Sequence, residues 1–570
     1  MRHKWTPSDD YPAEQEVLAR LWEWPEVVLG SSRPGAKAGR DVRLRADFIR
    51  HLCLYQEDIP EWGVRIAGAR IEGKLNLEGA KLRGDLGLVN CDLDTAPLLQ
   101  SARVKSLFFY RAAFSGLKGS QLQAEGGVFL RQAEVSGAVE LLRAKLGGDL
   151  DCTGATLQAA KRALSCDGLQ AEGNVFLRGA TVAGAVRLLG AKLGGNVDCT
   201  GATLQAAETA LSGDGLRADG NMFLGGATVA GEIRLPGAKL GGGVICTSAH
   251  LSGGMYAGRA QVAGNLFLRQ LFPEERALFP DIPMRPARIH KKLDLTGAHF
   301  AAIEDDRDAW PEAGALDLDR CTYGAFARKA PLDAQARIEW LSLQLKDGED
   351  FKPQPWEQCA KVLREMGHVE DARDVLIKKE QLHRIDRRRR LEAAGRVFPA
   401  NVLGLWDWML RVTVRYGHRP LRAFVGLFVF WILGFGFYQV AAHADAIKPN
   451  NAFVLRAPEW AGCVPPAFGP LTPGAEWPET RWHDSYASQL ACFHDQPEAG
   501  SYPKFRAWIY SADTLLPIVH LEMQEFWIPD ESAASPLGRI ARGFLWLQIA
   551  MGWALSLLAV AGFSGLVKSD

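Results

Sequence analysis

Several absences narrow what this chain can do. No histidine occurs between His51 and His250, so acyl-transfer or acid–base chemistry that needs an imidazole has no candidate along that stretch. The ten cysteines contain no C-x-x-C pair, which removes the dithiol of redox enzymes and the paired ligands of a zinc ribbon. No G-x-G-x-x-G opens a helix after a strand, so a dinucleotide-binding fold has no signature. Net charge is absent too: 66 basic side chains balance 66 acidic ones over 570 residues. No dominant polyanionic or polycationic partner is implied. The opening "MRHKWTPSDDYPAEQE" lacks the apolar run of a secretory signal, and the N-terminus is expected to stay in the cytoplasm.

Glycine, by contrast, is abundant and regularly placed. "AKLGGDLDCTGATLQAA" from Ala144 returns as "AKLGGNVDCTGATLQAA" at Ala191 and as "AKLGGGVICTSAHL" at Ala238, a step of 47 residues each time that Cys152, Cys199 and Cys246 also keep. A fixed period in this range means stacked units rather than one central core. Inside it runs a shorter module, G-A-x-[LV]-x-G-x-[VI]-x-[LC]-x, of near-perfect alternation. Period two directs Ala191, Leu193, Val197, Cys199, Ala202 and Leu204 inward and Lys192 outward.

The expected fold is an all-β right-handed parallel β-helix over residues 61–324, followed by an α-helical linker and two transmembrane helices. The A-x-L alternation resembles the pentapeptide-repeat family, whose four-sided coils stack Ala under Ala and Leu under Leu. The resemblance runs from Gly63 to Gln270, with worn continuations in "KKLDLTGAHF" and "GALDLDRCTYGAF". Steps of five plus six residues depart from the family's strict five and leave the coil cross-section open.

Between Glu61 and Gln270 there are 22 basic and 18 acidic residues. That balance excludes an acidic DNA mimic, and no nucleic-acid partner is expected. Asp149, Asp151 and Asp198, interspersed with Lys145 and Lys192 on outward positions, read as a solvated face of alternating charge. The regular cysteines read as a core ladder, two coils apart and too distant to share an ion. No catalytic, cofactor-binding or metal-binding residue is nominated, and no cofactor is expected.

Residues 1–60 are expected to cap the solenoid. Within them "RDVRLRADFIRHLCLYQ" carries helical spacing at Val42, Leu44, Phe48, Ile49 and Leu52, enough to cover the open strand edges of a last coil. Residues 325–420 read as a helical hairpin and an interfacial helix. Ala360, Leu363, Gly367 and Ala372 resemble a single tetratricopeptide-like hairpin, read as an adaptor, and Trp406 and Trp408 suit headgroup level.

Ala423–Ala442 and Gly543–Val567 are uncharged and long enough to span a bilayer, giving transmembrane helices over 421–443 and 542–567. Arg387–Arg390, Arg411, Arg415, Arg419 and Arg422 precede the first. By the positive-inside rule both termini are cytoplasmic and residues 444–541 form an outside loop. Cys463 and Cys492, alone in that loop, are a candidate disulfide, while the other eight behave as small hydrophobes.

"RAWIYSADTLLPIVHLEMQEFWIPD", Arg506–Asp530, lies between the spans, the order of a two-helix channel pore. It lacks T-x-G-Y-G, and Pro517 interrupts it. The favoured expectation is an amphipathic helix on the outer face, with Trp508, Tyr510, Phe526 and Trp527 at the interface. In a pore, His520, Glu522 and Glu525 would be the groups able to select or gate ions.

The ensemble of repeats, hairpin and "YSADTLLPIVHLEMQEFW" resembles a bacterial family of two-span membrane proteins with a pentapeptide-like β-helix. The resemblance implies the inner, cytoplasmic membrane, and the family's occasional label of membrane-associated oxidoreductase implies an activity that none of these residues supplies. The leading expectation is a membrane-anchored scaffold that presents a cytoplasmic binding or assembly surface to protein partners. Its other partner is the lipid bilayer, and homo-oligomers are compatible with it. The alternative is a channel or membrane-perturbing effector regulated by the solenoid.

Overall fold

The computed structural model describes residues 5–6, 8–35, 37–55, 60–346, 348–413, 421–464, 481–531, 533 and 535–563. Arg415, Arg419 and the side chains of Trp406, Trp408 and Arg411 lie outside the described residues. The chain divides into two units, Met1–Lys379 and Glu380–Asp570.

The first unit is a parallel β-solenoid of about 12 turns, residues 64–326. One turn shows how it is built: Gln170–Ala171, Val175–Phe176, Thr181–Val182 and Ala185–Arg187 are four short strands, and Lys192 opens the next turn beneath Gln170. The coil is therefore four-sided, with five or six residues from one side to the next. Gln170 pairs with Lys192, 22 residues on, and Lys192 with Arg217, 25 residues on. Alternation of these two turn lengths is the 47-residue sequence period. The longer turns carry their extra residues just before Arg162–Ser165 and Thr209–Ser212, where the register shifts.

Ala191, Leu193, Val197, Cys199, Ala202 and Leu204 all point inward and are buried. The register places Cys152, Leu177, Cys199, Leu224 and Cys246 in one column, so cysteines alternate with leucines. Burial pushes the Cys199 and Cys246 thiols up to about 12. They stay protonated at neutral pH and act as apolar filling.

A second ladder runs along one corner. The Asn174 side-chain oxygen accepts from the Asn196 backbone N–H at 2.7 Å, that of Asn196 accepts from Asn221, and that of Asn221 from Gly243. Asp149 starts the series by accepting from Asn174 at 2.6 Å. Each link satisfies a turn N–H that strand pairing leaves over.

Both strand edges at the ends are covered. At the first end stand α1 (Pro12–Arg20) and α2 (Ala46–Tyr55), the latter burying Phe48, Ile49 and Leu52. α2 begins later than its apolar spacing suggests, because Arg43–Arg45 joins the sheet against Arg70–Glu72. At the far end come α3 (Ala334–Ser342), α4 (Gln354–Glu365) and α5 (Val369–Ala393). Gln354 and Gln358 donate to the backbone oxygens of Cys321 and Tyr323 at 3.2 and 2.7 Å, so α4 supplies donors to the last turn. The hairpin expected as an adaptor is thus also the terminal cap. Arg337, fully buried, holds it through a two-pronged pair with Asp305 at 2.8 and 2.9 Å.

The second unit contains α6 (Val397–Thr413) and α7 (Leu421–His443), then α8 (Ala452–Arg456), α9 (Pro458–Ala461), α10 (Gln489–Asp495), α11 (Ala507–Leu515), α12 (Met523–Phe526) and α13 (Leu537–Phe563). α7 and α13 are long and apolar enough to cross a membrane. They run antiparallel, with Phe437 beside Phe544 at one level and Leu427 beside Leu555 at another.

Inward and outward positions should differ sharply in tolerance. Leu193→Asp buries a carboxylate in an apolar column and should cost about 3 kcal/mol or more, whereas Lys192→Asp should cost less than about 0.5 kcal/mol. Denaturant unfolding of the two variants checks this, and equal effects would contradict the stacking.

Candidate functional site

Register turns a scattered set of polar residues into a surface. Lys81, Arg103, Gln123, Lys145, Gln170, Lys192, Arg217, Lys239 and Gln261 pair in sequence from turn to turn and form one exposed column. The rise is about 4.8 Å per turn. None of its six cations makes an ion pair with a described residue.

Two positions further along each strand, Glu125, Glu172 and Asp219 alternate with Gly147, Gly194 and Gly241. The glycines are required there: a Cβ on any of them would collide with the backbone oxygen of the acidic residue one turn before. Between the cationic column and this second one lies a shallow trough of about 970 Å³ from Lys81 to Asp219. A further 610 Å³ continues it from Arg217 to His299.

Asp151 and Asp198 need a correction. They do not stand on a solvated face; each is 2% exposed. Arg131 and Arg178, twenty residues upstream, reach over them at 2.5 Å, and each carboxylate also accepts the N–H two residues on, from Thr153 or Thr200. Covered and fully paired, they brace adjacent turns. Asp149 is half-buried in the asparagine ladder, and only Lys145 and Lys192 are exposed.

The second unit holds the other candidate. α11 does not lie across the ends of α7 and α13 but is wedged between them. Ser511 donates to the Trp431 backbone oxygen at 2.9 Å, and the Trp431 ring donates to Trp508 O at 2.9 Å. Gln548 of α13 donates to Ser511 Oγ at 2.8 Å and accepts from Thr514 at 3.0 Å. Leu515 sits with Leu427 and Leu555. Small residues make the approach possible: side chains at Gly434 and Gly552 would collide with Ser511 and Gln548, and with the Leu515 carbonyl. Tyr510 and Trp527 are buried, whereas Trp508 is exposed.

Beyond Leu515 the chain turns back. Asp513 accepts from the backbone N–H groups of Leu521 and Gln524 at 2.7 and 2.8 Å, tying the return to α11. Ile518, Val519, His520, Leu521, Glu522 and Glu525 are exposed, and Glu522 holds a left-handed φ of 65°. Trp527–Pro529 then pairs with Ile447–Pro449, next to the end of α7. Cys463 and Cys492 are joined, with Cα atoms 5.7 Å apart.

Neither the cationic trough nor the wedged hairpin was nominated from the sequence. The recurrent "G-N-V" before a strand and the glycines at 434 and 552 are signals that could have pointed to the ladder and the wedge. Comparison with protein-family models, curated proteins and solved structures finds no match to this chain.

Packing at Gly552 gives a direct check. Gly552→Val should displace α11 and destabilise the second unit by about 1–3 kcal/mol. Gly543→Ala, where a Cβ meets nothing within 4 Å, should leave it unchanged. Melting of the purified protein in detergent compares the two.

Proposed function

We propose that this protein is a membrane-anchored β-solenoid whose trough holds an extended acidic segment of a protein partner. The observation that carries the reading is the column of six cations that form no ion pair with a described residue, presented by a rigid ladder at fixed spacing. A flexible surface lysine normally spends its entropy freely, whereas cations set on stacked strands are pre-organised for a long, linear ligand. The acids Glu125, Glu172 and Asp219 on the opposite side would repel any continuous polyanion at every second turn, whereas an extended polypeptide, whose successive side chains point to opposite edges, can keep its carboxylates on the side of the cations.

Anchoring is supported by the surfaces of α7 and α13. Only 22% and 33% of their most apolar windows are buried. Val425, Phe428, Ile432 and Leu433 on one, and Trp546, Leu557 and Val560 on the other, face outward. Such a contiguous apolar surface suits lipid. The arginines 387–390 before α7 and Arg422 in its first turn favour the side of the positive charge as cytoplasmic, in a bacterial inner membrane by the resemblance. The joined Cys463 and Cys492 suit the opposite, oxidising side.

Alkaline phosphatase fused within 444–541 should be active and fused at the C-terminus inactive, and the reverse would invert the topology. For the trough, a fluorescent peptide of alternating Glu and Ala should bind the purified protein with an affinity that falls as salt rises. Lys145→Glu with Lys192→Glu and Lys239→Glu should weaken it more than tenfold at unchanged melting temperature. Tighter binding of a single-stranded oligonucleotide of equal charge would overturn the choice of partner.

A further inference from the structure

The wedge of α11 between α7 and α13 has a depth that can be read from its neighbours. Leu427, beside Leu515, lies sixteen residues from His443, about 24 Å along α7 at 1.5 Å per residue. On α13 the Leu515 carbonyl touches Gly552, the middle of the apolar stretch from Gly543 to Ala561. Both measures put the end of α11 at or past the centre of a hydrocarbon layer about 30 Å thick. α11 enters from the His443 end, since Tyr510 meets Tyr438, and the chain is back at that end by Trp527. Residues 507–526 form a re-entrant hairpin, which hydrocarbon tolerates only where protein or water covers the irregular backbone.

Among the described residues of a single chain the covering is incomplete. Ser511, Asp513, Thr514 and Leu515 are buried against the two long helices, yet the return leg is open: Ile518 is 82% exposed, and Val519, His520, Leu521 and Glu522 are exposed with it. Leu521 is tied to Asp513 and the Gln524 backbone oxygen accepts from Asn450, beyond the end of α7, so Glu522 stands between those two levels. A carboxylate and an imidazole cannot face lipid there without a large cost, and titratable groups at such depth line water. The remaining way to give them water and hide Ile518 and Val519 is to gather several return legs around a common axis.

We propose that copies of this chain assemble around residues 516–522 and enclose a water-filled path for cations, with Glu522 at its narrow level. A backbone filter of stacked glycine carbonyls is not needed: a ring of carboxylates selects for positive charge without discriminating finely among cations. This goes beyond the partner-binding reading of the trough and rests on the membrane anchoring by α7 and α13 proposed above.

Reconstitution of the full-length protein in vesicles tests it. Val519→Cys should give oxidative cross-links between chains at least tenfold more than Val429→Cys, on the outward face of α7. Potassium flux should exceed that of protein-free vesicles and chloride flux should not. Glu522→Gln, isosteric at an exposed position, should lower the potassium flux at least fivefold, and Glu522→Lys should favour chloride. A Val519→Cys protein that stays monomeric, or potassium flux equal to empty vesicles, overturns the proposal. Flux indifferent to both Glu522 substitutions overturns the assignment of the narrow level.

Discussion

Each turn of the solenoid is held to the next by backbone hydrogen bonds that impose like upon like. Val175 N donates to Asn196 O and Val197 N to Asn221 O, while Gln170 N and Lys192 N bond to the turn before. With about 4.8 Å between turns, a residue has its counterpart directly above and below it. Whatever suits one level must suit its neighbours. Apolar residues then stack into a core one side chain wide. The alternation of Cys and Leu in one column follows from alternating turns of 22 and 25 residues, not from any need for thiols.

The same constraint governs polar positions. A repeated Asn yields a chain of side-chain to backbone bonds, and a repeated Asp is stabilised where an Arg of the previous turn folds over it, as Arg178 does over Asp198. Where Lys recurs without an ion pair to a described residue, repulsion along the column is offset only in part by the acids across the trough. At the spacing of one or two turns that repulsion is softened by water and salt, so the fold tolerates it without needing it. A feature that costs a little stability and contributes none to stacking is the kind that binding explains.

Inward residues were legible because period two is a local property of the sequence. The 47-residue repeat was legible as well, but not its division into two unequal turns, since three residues inserted at a corner leave the modules on either side unchanged. Burial of Asp151 and Asp198 was hidden because the residues that cover them lie twenty positions upstream, a distance that acquires meaning only once the coil length is known. The trough was hidden for the same reason. Its charges are unremarkable along the chain and align only through the register.

Position of α11 was illegible for a different reason. An amphipathic segment with aromatic residues looks alike whether its apolar side meets lipid at an interface or two neighbouring helices. What decides is close approach, and that is carried by residues far away: Gly434 on α7, Gly552 on α13 and the short polar Ser511 between them. Removed from water, the Ser511–Gln548–Thr514 bonds have no competitor for their partners, so they fix the helix at one level as well as against one face. A helix that merely rested on the surface would need none of this. The polar cluster, the glycine contacts and the Asp513 tie together specify a hairpin held at one level between the two long helices.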